Sequence, residues 1–292
     1  MPVDRRPAED LAPVDGRPAD DLAPVLANVA ADARPGTRAK IANSPETRAF
    51  LELGLHLLRD DLLDHRGPDL QDDHDAGTRL FAGLSQARLV ECAEQEDAHR
   101  DHPRMLTVGM FRDRWRYKSR YTEDLIAYLL RPALLEQAVR YVAEAAREVP
   151  EDASFGEFVR QLVDRAMAVT TGDPLWSLQT VVSVALPNHP RVQDFLTARY
   201  ELWMTHWAGL YQLLAHRYGL RLRPGYTWSD VAEVFDAAAE GARLRARAMG
   251  SLAQLSTGDD VLTGTILALL PGLFTNPEVC ALPPGAQGPA EG

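Results

Sequence analysis

Apolar residues recur at three- and four-residue steps through most of this chain, and no run shows the strict alternation of a half-buried strand. The pattern predicts an all-α protein. Ser44-Pro45 makes a cap and first-turn pair, so a helix is expected from there to about Asp64. Residues 65–78 are polar, contain Gly67, Pro68 and Gly77, and read as a loop. A short second helix opens at Leu84-Ser85 and turns Leu89, Val90 and Ala93 inward. The polar stretch from Glu94 to Arg104 separates it from a third helix starting at Thr107. Thr122, with acids in the next turn, is expected to cap a longer helix toward Val149, kinked or split by Pro132. Further helices are predicted near 154–171, 174–186, 190–218, 227–248 and 259–274, each behind a Ser, Thr, Asp, Asn or Pro signal.

The pattern fails at both ends. Residues 1–43 are rich in Pro, Ala and Asp and contain a near-duplicate, RPAEDLAPV from Arg6 and RPADDLAPV from Arg17. So little apolar surface is not expected to offset the entropy of ordering, which predicts a disordered N-terminal arm. The same reasoning predicts a disordered tail over 276–292. Between them the chain divides into three helices over 44–121 and about six over 122–275.

Composition narrows the class. With 292 residues and 46% hydrophobic content, the chain can bury a substantial core. Cys92 and Cys280 are far apart and form no metal or redox spacing, which suggests a reducing compartment. The N-terminus lacks an apolar targeting core, and the longest apolar run, Thr265 to Phe274, is too short to cross a bilayer. A cytoplasmic protein without a membrane partner is expected.

Charge singles out one stretch. The formal net charge is −11 and only two lysines occur, Lys40 and Lys118. Yet Arg104, Arg112, Arg114, Arg116, Lys118 and Arg120 crowd in and around L-T-V-G-M-F-R-D-R-W-R-Y-K, from Leu106 to Lys118. A dense basic patch on an acidic chain points to a polyanionic partner. On a helix, Leu106, Phe111 and Trp115 would turn inward, while Val108, Gly109, Arg112 and Asp113 would project from the other side. Thr107 falls at the N-cap, where free backbone N–H groups and the helix dipole favour phosphate. Gly109 weakens a helix and is best tolerated where another backbone approaches closely. This is the arrangement of a recognition helix in a helix-turn-helix unit. The plainer reading is an arginine-rich, solvated helix.

In these residues the chain resembles the tetracycline-repressor-like (TetR) family of bacterial transcription regulators, whose third helix typically reads V-S-x-G-T-L-Y-x-H-F-x-S-K. Leu106 stands where the family has Val, Thr107 where it has Ser, and Gly109 on its Gly. Phe111 matches the buried Leu, Trp115 the Phe and Lys118 the Lys. The second helix, L-S-Q-A-R-L-V-E-C-A, is similar to the family's L-T-x-x-x-V-A-x-x-A, and Tyr226 to Ala246 looks like its penultimate helix. Two features depart from the pattern: Arg112 replaces a tyrosine, and Glu94 to Met105 replaces a tight Ala-Gly-Val turn.

The resemblance implies a helix-turn-helix domain over 44–121 and a ligand-binding and dimerisation domain over 122–275. It implies double-stranded DNA with a palindromic operator as partner. Thr107, Arg112, Arg114, Arg116 and Lys118 would anchor phosphates, and Val108, Gly109, Arg112 and Asp113 would face base edges. A small apolar or aromatic effector would meet Trp203, His206, Trp207 and Trp176. The last two helices, with Val231, Val234, Phe235 and Ala238 on one and Leu262, Ile266, Leu269 and Leu270 on the other, would pair in a homodimer. Packing within one chain is the alternative for these stripes.

Other constellations are weaker. Asp60-Asp61-Leu62-Leu63-Asp64 spells D-D-x-x-D, a magnesium-diphosphate motif, but no second metal-binding motif accompanies it. His65, His74, His99 and His102 lie in acidic loops without paired ligand spacing. Neither catalysis, cofactor nor metal is therefore expected. The alternatives to a regulator are a helical ligand- or protein-binding module that has lost DNA binding and, more remotely, a magnesium-dependent diphosphate enzyme.

Overall fold

The computed structural model describes residues 20–64, 80–97, 105–148, 150, 152–172 and 174–276. Eleven helices run in order among them: α1 (Pro35–Ala42), α2 (Pro45–Leu62), α3 (Gln86–Asp97), α4 (Val108–Arg114), α5 (Lys118–Leu129), α6 (Pro132–Arg147), α7 (Phe155–Gly172), α8 (Pro174–Ala185), α9 (Pro190–Tyr218), α10 (Trp228–Met249) and α11 (Val261–Leu273). The protein is all-α, as expected: the described residues hold no strand, only the isolated bridges Leu222–Phe274 and Gln254–Asp260.

Local chemistry sets many of the boundaries. Ser44 Oγ accepts from Thr47 N at 3.3 Å with Pro45 at the first helical position. Thr227 and Asp230 form a reciprocal capping box at the start of α10, and Asp260 Oδ1 takes Leu262 N and Thr263 N at 2.8 and 3.0 Å. At the other end of α9, Gly219 adopts φ 66°, the left-handed geometry that lets a helix stop. Pro132 splits the segment between Thr122 and Val149, since no backbone N–H continues the ladder there.

The helices enclose two cores. The first gathers Leu22, Leu26, Val29, α2–α5 and the inner faces of Leu178, Val182, Val192 and Phe195. The second gathers α6, α7, α9, α10 and α11. Helix α8 touches α2 and α5 on one side and α7 and α9 on the other, so it joins the two.

Three expectations need correction. The N-terminal arm is packed from residue 20 onward: Leu22, Leu26 and Val29 are fully buried, and α1 was not anticipated. The arm is ordered through distant partners, with Leu22 N donating to Asn43 Oδ1 and Asn28 N to Asp124 Oδ1, at 2.8 and 2.9 Å. Residues 1–19, including the first copy of the duplicate, lie outside the described residues. Thr122 is no cap. Its hydroxyl donates back to Lys118 O at 3.0 Å, inside a helix that begins four residues earlier, so a boundary at 121/122 falls within α5. Asn276, the first residue of the expected tail, is buried and clasps Arg221 N and Gly219 O at 3.0 and 2.8 Å, while 277–292 lie outside the described residues. The stripe residues Val231, Phe235, Leu262, Ile266 and Leu270 are all buried within one chain, because α10 and α11 cover α7 and α9.

Candidate functional site

An aromatic cluster holds the basic helix in place. Phe111 and Trp115, at the end of α4, meet Phe50 of α2 at ring-centroid distances of 5.5 and 6.1 Å, and meet Tyr121 of α5 at 5.0 Å each. Tyr121 Oη donates to Phe50 O at 2.7 Å, and burial pushes its phenol well above the usual range. Such rings pack hard only if the backbones close up. Gly54 permits this, since a Cβ there would run into Tyr121 Oη.

Beneath the cluster sits a buried carboxylate. Asp124, 1% exposed, accepts from Trp115 Nε1 at 2.9 Å, from Asn28 N at 2.9 Å and from Asn28 Nδ2 at 3.1 Å. Burial raises its pKa above the ordinary carboxylate value, while the hydrogen bonds from Trp115 and Asn28 pull the other way. Ala30 N donates to Arg114 O at 2.8 Å, so the N-terminal segment braces α4 from a second direction.

The cations of the patch divide into two sets. Arg114 is turned inward: its Nε donates to Thr47 Oγ1 at 3.0 Å, its Nη1 to Met110 O at 3.1 Å, and its Nη2 to Ser44 Oγ and Glu46 Oε2 at 3.2 and 3.0 Å. The guanidinium therefore ties α4 to the first turn of α2. Lys118 behaves alike. Its Nζ donates to Ala82 O at 2.9 Å, and burial lowers its pKa. Of the residues expected to anchor phosphate, these two hold the scaffold together.

The others face out. Thr107 caps α4, its Oγ1 accepting from Met110 N at 3.2 Å, and is exposed with Gly109, Arg112, Asp113 and Arg116, while Val108 is half-buried. Among the described residues, Arg112 makes one hydrogen bond, from Nε to Gln86 Oε1 on α3 at 3.3 Å. Open space surrounds Gly109, where a Cβ would meet only Thr107 Oγ1 at 3.7 Å. Tyr117 was not anticipated. It is 53% exposed at the start of α5, with the guanidiniums of Arg116 and Arg120 at 5.5 and 5.7 Å from its ring. The interleaving of R-Y-K-S-R was the available signal. Arg104 lies outside the described residues, as do His65, His74, His99 and His102.

The D-D-x-x-D carboxylates engage side chains of their own protein. Asp61 forks Arg88 with two 2.7 Å bonds, Asp64 pairs with Arg59 at 3.2 Å, and Asp60 lies 3.5 Å from His56 Nε2.

A cavity open to solvent lies in the second core. Trp203, Trp207, Tyr211 and Phe235 line it, with Asp236 and Arg243 as polar members. Trp203 Nε1 donates to Asp236 Oδ1 at 2.9 Å. Arg243 Nη2 is buried and has no hydrogen-bond partner among the described residues, with Asp236 Oδ1 at 3.7 Å and Glu240 Oε1 at 4.0 Å, both beyond hydrogen-bonding reach. Burial raises the Asp236 pKa and lowers that of Arg243. Of the four residues expected to meet a ligand, Trp203 and Trp207 line the cavity. Trp176 stands behind Trp203, ring edge to face at 5.9 Å, and neither it nor half-buried His206 reaches the lining.

No family model matches the sequence, and no curated protein matches it. A crystal structure described as that of "the putative transcriptional regulator from Pseudomonas aeruginosa PAO1" is similar at 13% identity and a TM-score of 0.46, covering 83% of this chain and 93% of that one. That likeness is too distant to bear on either fold or function.

Proposed function

We propose that this protein is a DNA-binding transcription regulator whose operator affinity responds to a small apolar or aromatic molecule. The observation that carries the reading is the division of the basic patch: Arg114 and Lys118 fix α4 on its aromatic seat, and Arg112, Arg116 and Tyr117 remain on the solvent side. A rigid helix displaying cations and an open glycine backbone suits a phosphate-lined groove. The resemblance of the third helix to that of TetR-like regulators supports the same reading.

Arg116 and Arg112 are the phosphate contacts in this reading, with Tyr117 and Arg120 beside them, while Val108, Gly109, Arg112 and Asp113 meet base edges. The effector occupies the cavity of the second core, against Trp203 and Trp207, and carries a hydrogen-bond acceptor for Arg243 Nη2. Helix α8, in contact with both cores, is the element through which occupancy changes the display of α4. A two-fold dimer matches two such helices to a palindromic operator.

An electrophoretic mobility shift on duplex DNA from the protein's own upstream region tests the reading. Retardation that is lost in Arg112→Ala and unaffected by a neutral substitution of Glu201, on the exposed side of α9, is the expected result. Failure to retard that DNA or any genomic fragment at low salt would favour the second reading. That reading is a binding module without DNA affinity, and the seven-residue length of α4 is the observation on its side.

A further inference from the structure

We propose that His56, Cys92 and Glu96 bind a transition-metal dication of the zinc class, clamping α2 to α3. An imidazole nitrogen, a thiol sulfur and a carboxylate oxygen from these residues lie within 4.8 Å of one another, and all three side chains are half-buried. Tetrahedral bonds of 2.0–2.3 Å place donor atoms about 3.5 Å apart, so closing on a cation takes a shift of about 1 Å at flexible side-chain ends. Cys92 and Glu96 are four residues apart on α3, one above the other on the same helix face, and His56 comes from the facing helix.

The donor set determines the class of metal. Sulfur and imidazole together select zinc, cobalt or nickel over magnesium and calcium, which take oxygen ligands. Asp60, one turn beyond His56 with Oδ2 3.5 Å from its Nε2, pairs with the imidazole, and the three donors leave a fourth tetrahedral position for water. Arg88 lies one turn before Cys92, but Asp61 already forks its guanidinium with two 2.7 Å bonds, so its charge is matched locally. A cation here fixes α3, whose Gln86 contacts Arg112, and so stiffens the support of the basic helix. Metal binding itself does not depend on whether that helix meets DNA.

The test is a cobalt titration of the full chain after dialysis against a chelator, followed by absorption spectroscopy. One equivalent of cobalt should give the intense visible bands of a tetrahedral site and a thiolate-to-cobalt charge-transfer band, both bleached by zinc and unaffected by magnesium. Cys92→Ser should abolish the charge-transfer band. His56→Gln should weaken zinc binding by at least the ~10–100-fold typical of losing an outer-shell partner. Circular dichroism checks the fold of each variant, and His56→Gln, at a half-buried position, decides the matter if Cys92→Ser does not fold. The weak spectrum of hydrated cobalt, a charge-transfer band that survives in Cys92→Ser, or wild-type zinc affinity in His56→Gln would each overturn the proposal.

Discussion

The two cores solve opposite problems with similar materials. Around Trp115 the first core is closed: four aromatic rings interlock, Gly54 lets two helices approach, and the one buried carboxylate, Asp124, has its donors in place. Around Trp203 the second core is also aromatic, yet it leaves a cavity and an Arg243 nitrogen without a hydrogen-bond partner among the described residues. Rigidity in the first suits the display of a fixed charge pattern on its surface. Incomplete filling in the second suits a guest. The contrast is physical before it is functional, so it can be attacked by changing volume and charge in each core separately.

Trp115→Ala should have the largest effect. It removes a fully buried ring and the indole donor of Asp124, costing about 3–5 kcal/mol in urea denaturation, and a loss below about 1 kcal/mol would show that the first core is not closed. Gly54→Ala comes next. One added methyl collides with Tyr121 Oη inside α2 and should cost about 1–3 kcal/mol, although alanine is the better helix former. Asp124→Asn tests the electrostatics. Because the folded pKa of Asp124 is raised, the folded state binds the proton more tightly than the unfolded state does. Stability contributed by this group is therefore present at low pH and lost as pH rises from about 3.9 through the folded pKa. The wild-type-minus-Asn difference should follow that slope, and a flat difference would remove the buried charge from the account. Ala239→Leu, in the cavity wall, should have the smallest effect, under about 1 kcal/mol. Added volume there fills space rather than forcing backbone apart, and any ligand that binds the cavity should be displaced.

Much of the fold was legible because periodicity and caps are local. Ser44 and Thr107 cap the helices their positions suggested. Residues 20–34 were not legible, since Leu22, Leu26 and Val29 are too sparse to order a segment alone and are held by Asn43 and Asp124 from far along the chain. Thr122 misled because a threonine hydroxyl can bond back to the preceding turn as well as cap the next one. The inward turn of Arg114 could have been read. It sits three residues after buried Phe111 and four after Met110, and that spacing places it on the packed side of the helix. The cavity could not be read, because Trp176, Trp203 and Trp207 look alike in a helical stripe until their neighbours are known. Likewise the Cys92–Glu96 spacing was visible, but His56, thirty-six residues before Cys92, is brought to it only by the fold.

The most direct test of the account is the salt dependence of duplex DNA binding, measured by fluorescence anisotropy for wild type and for the Arg112→Ala/Arg116→Ala double variant. Binding should weaken linearly in log–log form, with the slope reduced by about 1.8 in the double variant, since each phosphate contact contributes about 0.9. Thermal stability should be almost unchanged, because both side chains lie on the solvent side of the fold. An unaltered slope and affinity in the double variant would contradict the assignment of these outward cations to DNA.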